Sequence, residues 1–205
     1  MIGAMDILLI RHGETALNVA RVLQPADTPL SERGIVQAEA LARRLAALGV
    51  AAILSSDLPR ALRTAQAIAA ATGAPIETSA LLQERNFGDW RGRPYDTMPI
   101  DPLTMAGAPP GGESAEAFAQ RVALAFAQIV ERRAALGGAL AVVTHGLVIR
   151  AMLATQVRLP AGSAGAPHLG NTSLSVFSAQ PPHAAQLVNC TRHLGDPAAG
   201  PPQGG

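Results

Sequence analysis

Short apolar runs of strand length alternate along this chain with longer stretches in which apolar residues recur at helical spacing. That alternation predicts βαβ units, and hence an α/β fold of three α/β/α layers around a mostly parallel central sheet. The first strand is predicted at Asp6 to Ile10. A helix follows from an N-cap at Ser31, with Ile35, Ala38, Leu41, Ala42, Leu45 and Leu48 on one face and Gly49 as its stop. Ala51 to Leu54 reads as the second strand, and Pro59 to Thr72 as a helix opened by Pro and closed by Gly73. A short strand near Ile76 to Thr78 leads to a segment from Arg85 to Gly112 broken by repeated Pro and Gly. An insertion of that length is expected to act as a lid over a site. Ser114 caps the next helix, which runs through Phe118, Val122, Ala125, Phe126 and Ile129; a strand at 140–144 and a helix at 147–155 follow. Two weaker strand candidates, 174–177 and 186–189, complete a single domain over 1–194. The Pro/Gly-rich end at 195–205 is expected to be disordered.

Composition changes this picture mainly by what is missing. Lys and Arg together number 16 among the 205 residues, and all of them are Arg. A Walker A loop needs a Lys on its phosphates, and Schiff-base and pyridoxal enzymes need an amine, so these chemistries are excluded. Cys190 stands alone, which excludes an intrachain disulfide, a CxxC redox pair and a thiolate-rich zinc site. A net charge of +1 lacks the basic surplus of a nucleic-acid binder. The apolar run Ile7 to Ile10 is too short for a membrane helix, and Asp6 interrupts any signal-like start, so a cytoplasmic protein without a membrane partner is expected. An Ala-rich helix surface leaves pairing into a homodimer open.

Candidate chemistry sits at the strand ends. Ile7 to Ile10 runs into Arg11, His12 and Gly13, and Leu140 to Val143 runs into Thr144, His145 and Gly146. In a parallel sheet the C-terminal strand edges lie together and ligands bind there, so both His are expected to face one pocket. A Gly after each His removes a Cβ where a ligand would approach. The second strand delivers Arg60 to the first turn of a helix at the same edge, and the third delivers Glu84. Two His, two Arg and one Glu near helix N-termini suit phosphoryl transfer, because Arg grips phosphate oxygens bidentately and His can act as nucleophile, acid or base. Any one of these His, taken alone, would read as a hydrogen-bonded structural residue.

The ordered series LLIRHGETALN (8–18), PLSERGIVQA (29–38), ILSSDLPRALRTA (53–65), LQERNFGDWRG (82–92), GGES (111–114) and VVTHG (142–146) resembles the histidine phosphatase, or phosphoglycerate-mutase-like, superfamily. The resemblance spans Ile7 to about Phe177. It implies His12 as the nucleophile that forms a phosphohistidine, and Arg11, Arg60 and His145 as the groups that hold the phosphate. Asn18 and the Gly146 backbone are implied as further phosphate donors, and Glu84 as the acid for the leaving group and the base for water. No metal and no organic cofactor are implied. The expected function is a metal-independent phosphomonoesterase acting on a small phosphorylated metabolite. A phosphoglycerate mutase is the alternative within the superfamily, set against Pro25 where the family has Gly and a short lid without Lys. A phosphohistidine protein phosphatase and a non-catalytic phosphate-binding module are further alternatives.

Other polar residues have structural readings beside functional ones. Glu14 and Thr15 either touch substrate or shape the turn after His12. Trp90 reads as a packing anchor for the lid. Arg85, Arg91, Arg93 and Tyr95 either reach a second anionic group or form a solvated face. Ser55 and Ser56 lack a nucleophile elbow and read as turn and cap residues. His168, His183 and His193 read as surface residues, without the spacing of a metal site.

Overall fold

A computed structural model describes residues 6–98, 100–160 and 169–195. His168 and the expected tail beyond Gly195 lie outside the described residues.

Six strands, β1 (Asp6–Arg11), β2 (Val50–Ser55), β3 (Ile76–Thr78), β4 (Ala139–Thr144), β5 (Leu174–Ser178) and β6 (Ala185–Cys190), form one sheet in the order β3-β2-β4-β1-β5-β6. The four strands from β3 to β1 are parallel, whereas β5 runs antiparallel to β1 and β6 antiparallel to β5. The helices are α1 (Ala16–Val19), α2 (Glu32–Leu45), α3 (Pro59–Thr72), α4 (Ala115–Ala134) and α5 (Gly146–Thr155). Because side chains alternate along a strand, β1 feeds both layers. Leu8 and Ile10 pack with α2 and α3, while Ile7 and Leu9 pack with α4 and α5. All four are fully buried, so the central strands read as continuous apolar runs. Ala38, Ala42, Ala61 and Ala65 are also buried between sheet and helices, and their small side chains let α2 and α3 lie close.

Helix boundaries follow local chemistry. Ser31 accepts from the Gly34 amide, Pro59 opens α3, and Gly73 closes it in the left-handed conformation at φ 73°. The α2 pattern predicts a helix to Gly49, but the helix ends at Leu45 and residues 46–49 form a turn closed by Leu48 N to Leu45 O (2.9 Å).

The stretch at 85–112 is an organised flap. Its first part is zipped to residues 21–23 by Leu23 N to Arg93 O (2.9 Å) and Tyr95 N to Arg21 O (2.9 Å). Its two ends close on each other through Glu113 N to Asn86 O (2.8 Å) and Asp89 N to Pro110 O (2.9 Å). Gly88 sits at φ 51° with its ideal Cβ position 2.0 Å from the Pro110 carbonyl oxygen, so only glycine fits that crossing.

Candidate active site

The β1–β4 register pairs Arg11 with Thr144, so the next residue of each strand, His12 and His145, meets the other. Their ring centroids are 5.1 Å apart, and His12 N donates to Thr144 O at 3.0 Å. On the neighbouring strand, Ser56 N follows β2 and donates to Val143 O (2.9 Å), which carries the chain on to α3 and Arg60. Glu84 arrives after a 3-10 turn that follows β3. Arg11, His12, Asn18, Arg60 and Glu84 line one small cleft. His145 lies against His12, and the ideal Cβ position of Gly146 is 3.6 Å from Arg11 Nε. The predicted set is therefore brought together.

The electrostatics are those of cations gathered away from water. His12 is 2% exposed and its Nδ1 donates to the Gly13 carbonyl at 2.7 Å, so the neutral ring keeps the Nε2 lone pair. Burial, reinforced by Arg11 and Arg60, holds the His12 pKa well below the ordinary 6.5. His145 is lowered in the same way by burial, then by His12, Arg60 and Arg11. Burial pushes Arg60 down to about 10 and lowers Arg11, with Glu84 opposing both shifts. Three of these groups keep a buried polar nitrogen without an internal hydrogen-bond partner: Nε of Arg11, Nε of Arg60 and Nδ1 of His145. Buried donors are ordinarily satisfied, and an oxyanion with several lone pairs is the chemical complement of this set.

The remaining donors position those groups. Arg60 Nη1 is held by the carbonyls of Pro25 (3.2 Å) and Ala26 (3.3 Å), and Arg11 Nη1 by that of Leu169. His145 Nε2 meets Ser56 Oγ at 2.9 Å. Ser56 Oγ also accepts from Leu58 N, and we assign its own hydrogen to Nε2, which leaves the neutral His145 ring with Nδ1–H. The Glu84 carboxylate accepts from Arg85 N (3.0 Å) and from Leu147 N (3.2 Å) in the first turn of α5. Asn18 Oδ1 accepts from Thr15 N and from Asn171 Nδ2, so its amide nitrogen is the edge left to donate.

Several sequence expectations are corrected here. Gly13 serves packing rather than ligand approach, since its ideal Cβ position is 2.5 Å from the Gly34 carbonyl of α2. Arg85 is 4% exposed and spends its guanidinium on the carbonyls of Glu113 (3.2 Å) and Gly107 (3.0 Å). Arg85, Arg91 and Tyr95 all line the cleft, whereas Arg93 is exposed outside it. Neither His183 nor His193 is a free surface residue. His183 packs edge-on against Phe126, and His193 bonds Thr172 and Arg44, with burial and Arg44 lowering its pKa to about 4. Thr15 caps α1, and Glu14 takes bonds from Ser31 and an ion pair from Arg33, so both follow their structural readings. Among the described residues, no group of three or more His, Cys, Asp and Glu is disposed to hold a metal.

Two contributors carry no local signal. Asn171 donates to the His12 carbonyl (3.3 Å) and to Asn18, and Ser56 supports His145 from a position that reads as a turn residue. Asn171 reaches the site because β5 is antiparallel, which puts its start beside the end of β1.

Residues 7–190 match the sequence model of the histidine phosphatase superfamily (branch 1). A protein of Yersinia pestis (strain Pestoides F) named probable phosphoglycerate mutase GpmB is 35% identical over 181 residues, covering 83% of each chain. Among solved structures, a mycobacterial glucosyl-3-phosphoglycerate phosphatase complexed with VO3 is similar at 32% identity and TM-score 0.72, over 85% of this chain and 91% of that one. A phosphoserine phosphatase of Entamoeba histolytica, solved with phosphoserine, is similar at 25% identity and TM-score 0.73, over 92% and 98%.

Proposed function

Because the chain belongs to the histidine phosphatase superfamily, we propose that it is a phosphomonoesterase that hydrolyses a small phosphorylated metabolite through a phosphohistidine on His12, without a metal. The observation that carries this reading is His12 itself: a buried, neutral imidazole with Nδ1 anchored on Gly13 O and Nε2 free, beside unpartnered nitrogens of Arg11, Arg60 and His145. In the first step Nε2 attacks phosphorus in line, the P–N bond forms as the ester P–O bond breaks, and Glu84 gives its proton to the departing oxygen. In the second, Glu84 takes a proton from water, the water oxygen bonds phosphorus, and the P–N electrons return to His12. Arg11, Arg60, His145, Asn18 and the Gly146 backbone hold the phosphoryl oxygens, where charge is spread in a loose transition state.

Phosphoglycerate mutase activity is the second reading, favoured by the name of the Yersinia relative. Against it, two similar structures are named phosphatases. Both readings are tested by phosphate release from a panel of phosphomonoesters in excess chelator, with 3-phosphoglycerate followed for release and for isomerisation. Release that survives chelation and disappears in His12→Ala, together with the trapped phosphoenzyme, is the expected result. Isomerisation without net release would assign a mutase, and turnover retained in His12→Ala would remove His12 from its role.

A further inference from the structure

The GGES stretch contributes a second device to the site through Glu113. This residue immediately precedes the N-cap of α4, and Arg121 follows it eight positions later, about two helical turns on. The two side chains form a bidentate pair, Arg121 Nε to Glu113 Oε1 at 2.9 Å and Nη2 to Oε2 at 2.8 Å, with 19% and 14% of their side-chain surfaces exposed. Arg121 also lies over the Phe118 ring at 5.2 Å.

What this pair grips is the chain that carries Glu84. Arg121 Nη1 donates to the carbonyls of Leu81 (2.8 Å) and Gln83 (2.7 Å), and Nη2 to that of Glu84 itself (3.4 Å). Glu113 Oε2 accepts from Asn86 N (3.3 Å), its backbone N donates to Asn86 O, and its carbonyl accepts from Arg85 Nε. Thr144 Oγ1 holds the Leu82 carbonyl (2.6 Å), so every residue from 81 to 86 is tied down from another element. A stretch that only connected β3 to the flap would not need a shielded guanidinium on the carbonyls of Leu81, Gln83 and Glu84 and a carboxylate on the Asn86 amide. A general acid does, because displacement of a reacting group by about 1 Å can cost roughly 100-fold in rate.

We infer that the Arg121–Glu113 pair positions Glu84 for proton transfer to the leaving group, and that it ties the start of the flap, at Arg85 and Asn86, to the same clamp. The inference rests on the reading of Glu84 as general acid. Neither Arg121 nor Glu113 lines the cleft, so both act through Glu84 rather than on substrate.

The test is leaving-group dependence, which a purely structural role does not move. kcat/KM reports phosphorylation of His12, so Glu113→Gln and Arg121→Lys are assayed on an alkyl phosphate, whose alkoxide leaves poorly, and on p-nitrophenyl phosphate, whose leaving group needs little protonation. The alkyl ester is expected to lose about 10- to 100-fold and the aryl ester less than about threefold. In the double variant Glu84→Gln/Glu113→Gln, the second substitution is expected to add little to the loss already caused by Glu84→Gln. Equal losses on both esters, or additive losses in the double variant, would overturn the inference. Glu84→Gln alone is the control on the underlying assignment: if it shows no leaving-group dependence, that assignment fails, and the inference with it. If Arg121→Lys does not fold, Glu113→Gln keeps the guanidinium and its carbonyl bonds and carries the test alone.

Discussion

Each side chain of the site is used with one face committed to the protein and one left for chemistry. His12 commits Nδ1 to Gly13, His145 commits Nε2 to Ser56, and Asn18 commits Oδ1 to Thr15 and Asn171. Ring tautomers and amide faces are thereby set before any ligand arrives, which is the preorganisation that electrostatic catalysis needs. Ser56→Ala should therefore lower kcat/KM while leaving the fold intact. Loss of one buried hydrogen-bond partner is worth about 1–3 kcal/mol, or roughly 5- to 150-fold. Steady-state kinetics beside a thermal melt would check this, and unchanged kinetics would show that Ser56 does not orient His145. At this scale the principal residues were legible, because Arg11, His12 and His145 fall at the ends of apolar runs and Glu84 and Arg60 lie in recognisable motifs. Ser56, Asn171 and Arg121 were not, because their partners lie 89, 159 and 37 to 40 positions away.

Among the elements, α2 bears most directly on His12. Gly34 in its first turns lets the helix lie on the loop after His12: an ideal Cβ position there is 2.0 Å from the Glu14 carbonyl oxygen, and the one on Gly13 is 2.5 Å from the Gly34 carbonyl. Neither contact can be relieved by a side-chain rotation, since both opposing atoms are backbone. Gly34→Ala should thus destabilise the protein by about 1–3 kcal/mol, the usual range for overpacking. The lowered urea midpoint would come with a loss of phosphoenzyme formation as the His12 loop is pushed away. A variant of wild-type stability and activity would place α2 outside the site's support. Helical periods and caps made α2 to α5 readable to within a few residues. The four residues of α1 are too few to show a period, and nothing in an apolar run at 174–177 says whether its partner is parallel or antiparallel.

For the molecule as a whole, burying two neutral imidazoles makes stability depend on pH. Below about 6.5 the unfolded chain protonates these His, whereas the folded protein, in which the pKa values of His12 and His145 lie well below that, does not. Stability is therefore full above about pH 6.5 and falls as the pH drops toward the folded values. The loss is up to about 1.4 kcal/mol per pH unit for each of the two groups. His193, lowered to about 4, adds to the same trend between pH 6.5 and 4. Urea unfolding at pH 7.5 and pH 5 should show the decline, and His145→Gln should flatten it. A midpoint unchanged between the two pH values would mean that these imidazoles are charged in the folded state. Mild acid should leave His12 unprotonated even so, because its depressed pKa keeps the ring neutral below its ordinary range.

The sequence by itself determined the order and type of the strands and longer helices, the three-layer α/β/α class and the exclusion of lysine-amine, CxxC and thiolate-rich metal chemistry. These depend on near neighbours: apolar spacing within a few turns, a capping residue, or a residue type that is absent. Tertiary structure alone decided the β1–β4 register that sets His12 and His145 5.1 Å apart, and the antiparallel β5 that brings in Asn171. It also decided the clamp of Arg121 and Glu113 on the chain around Glu84. Such relations join residues that are strangers along the chain, and they exist only once burial of the apolar faces has fixed which strands lie side by side.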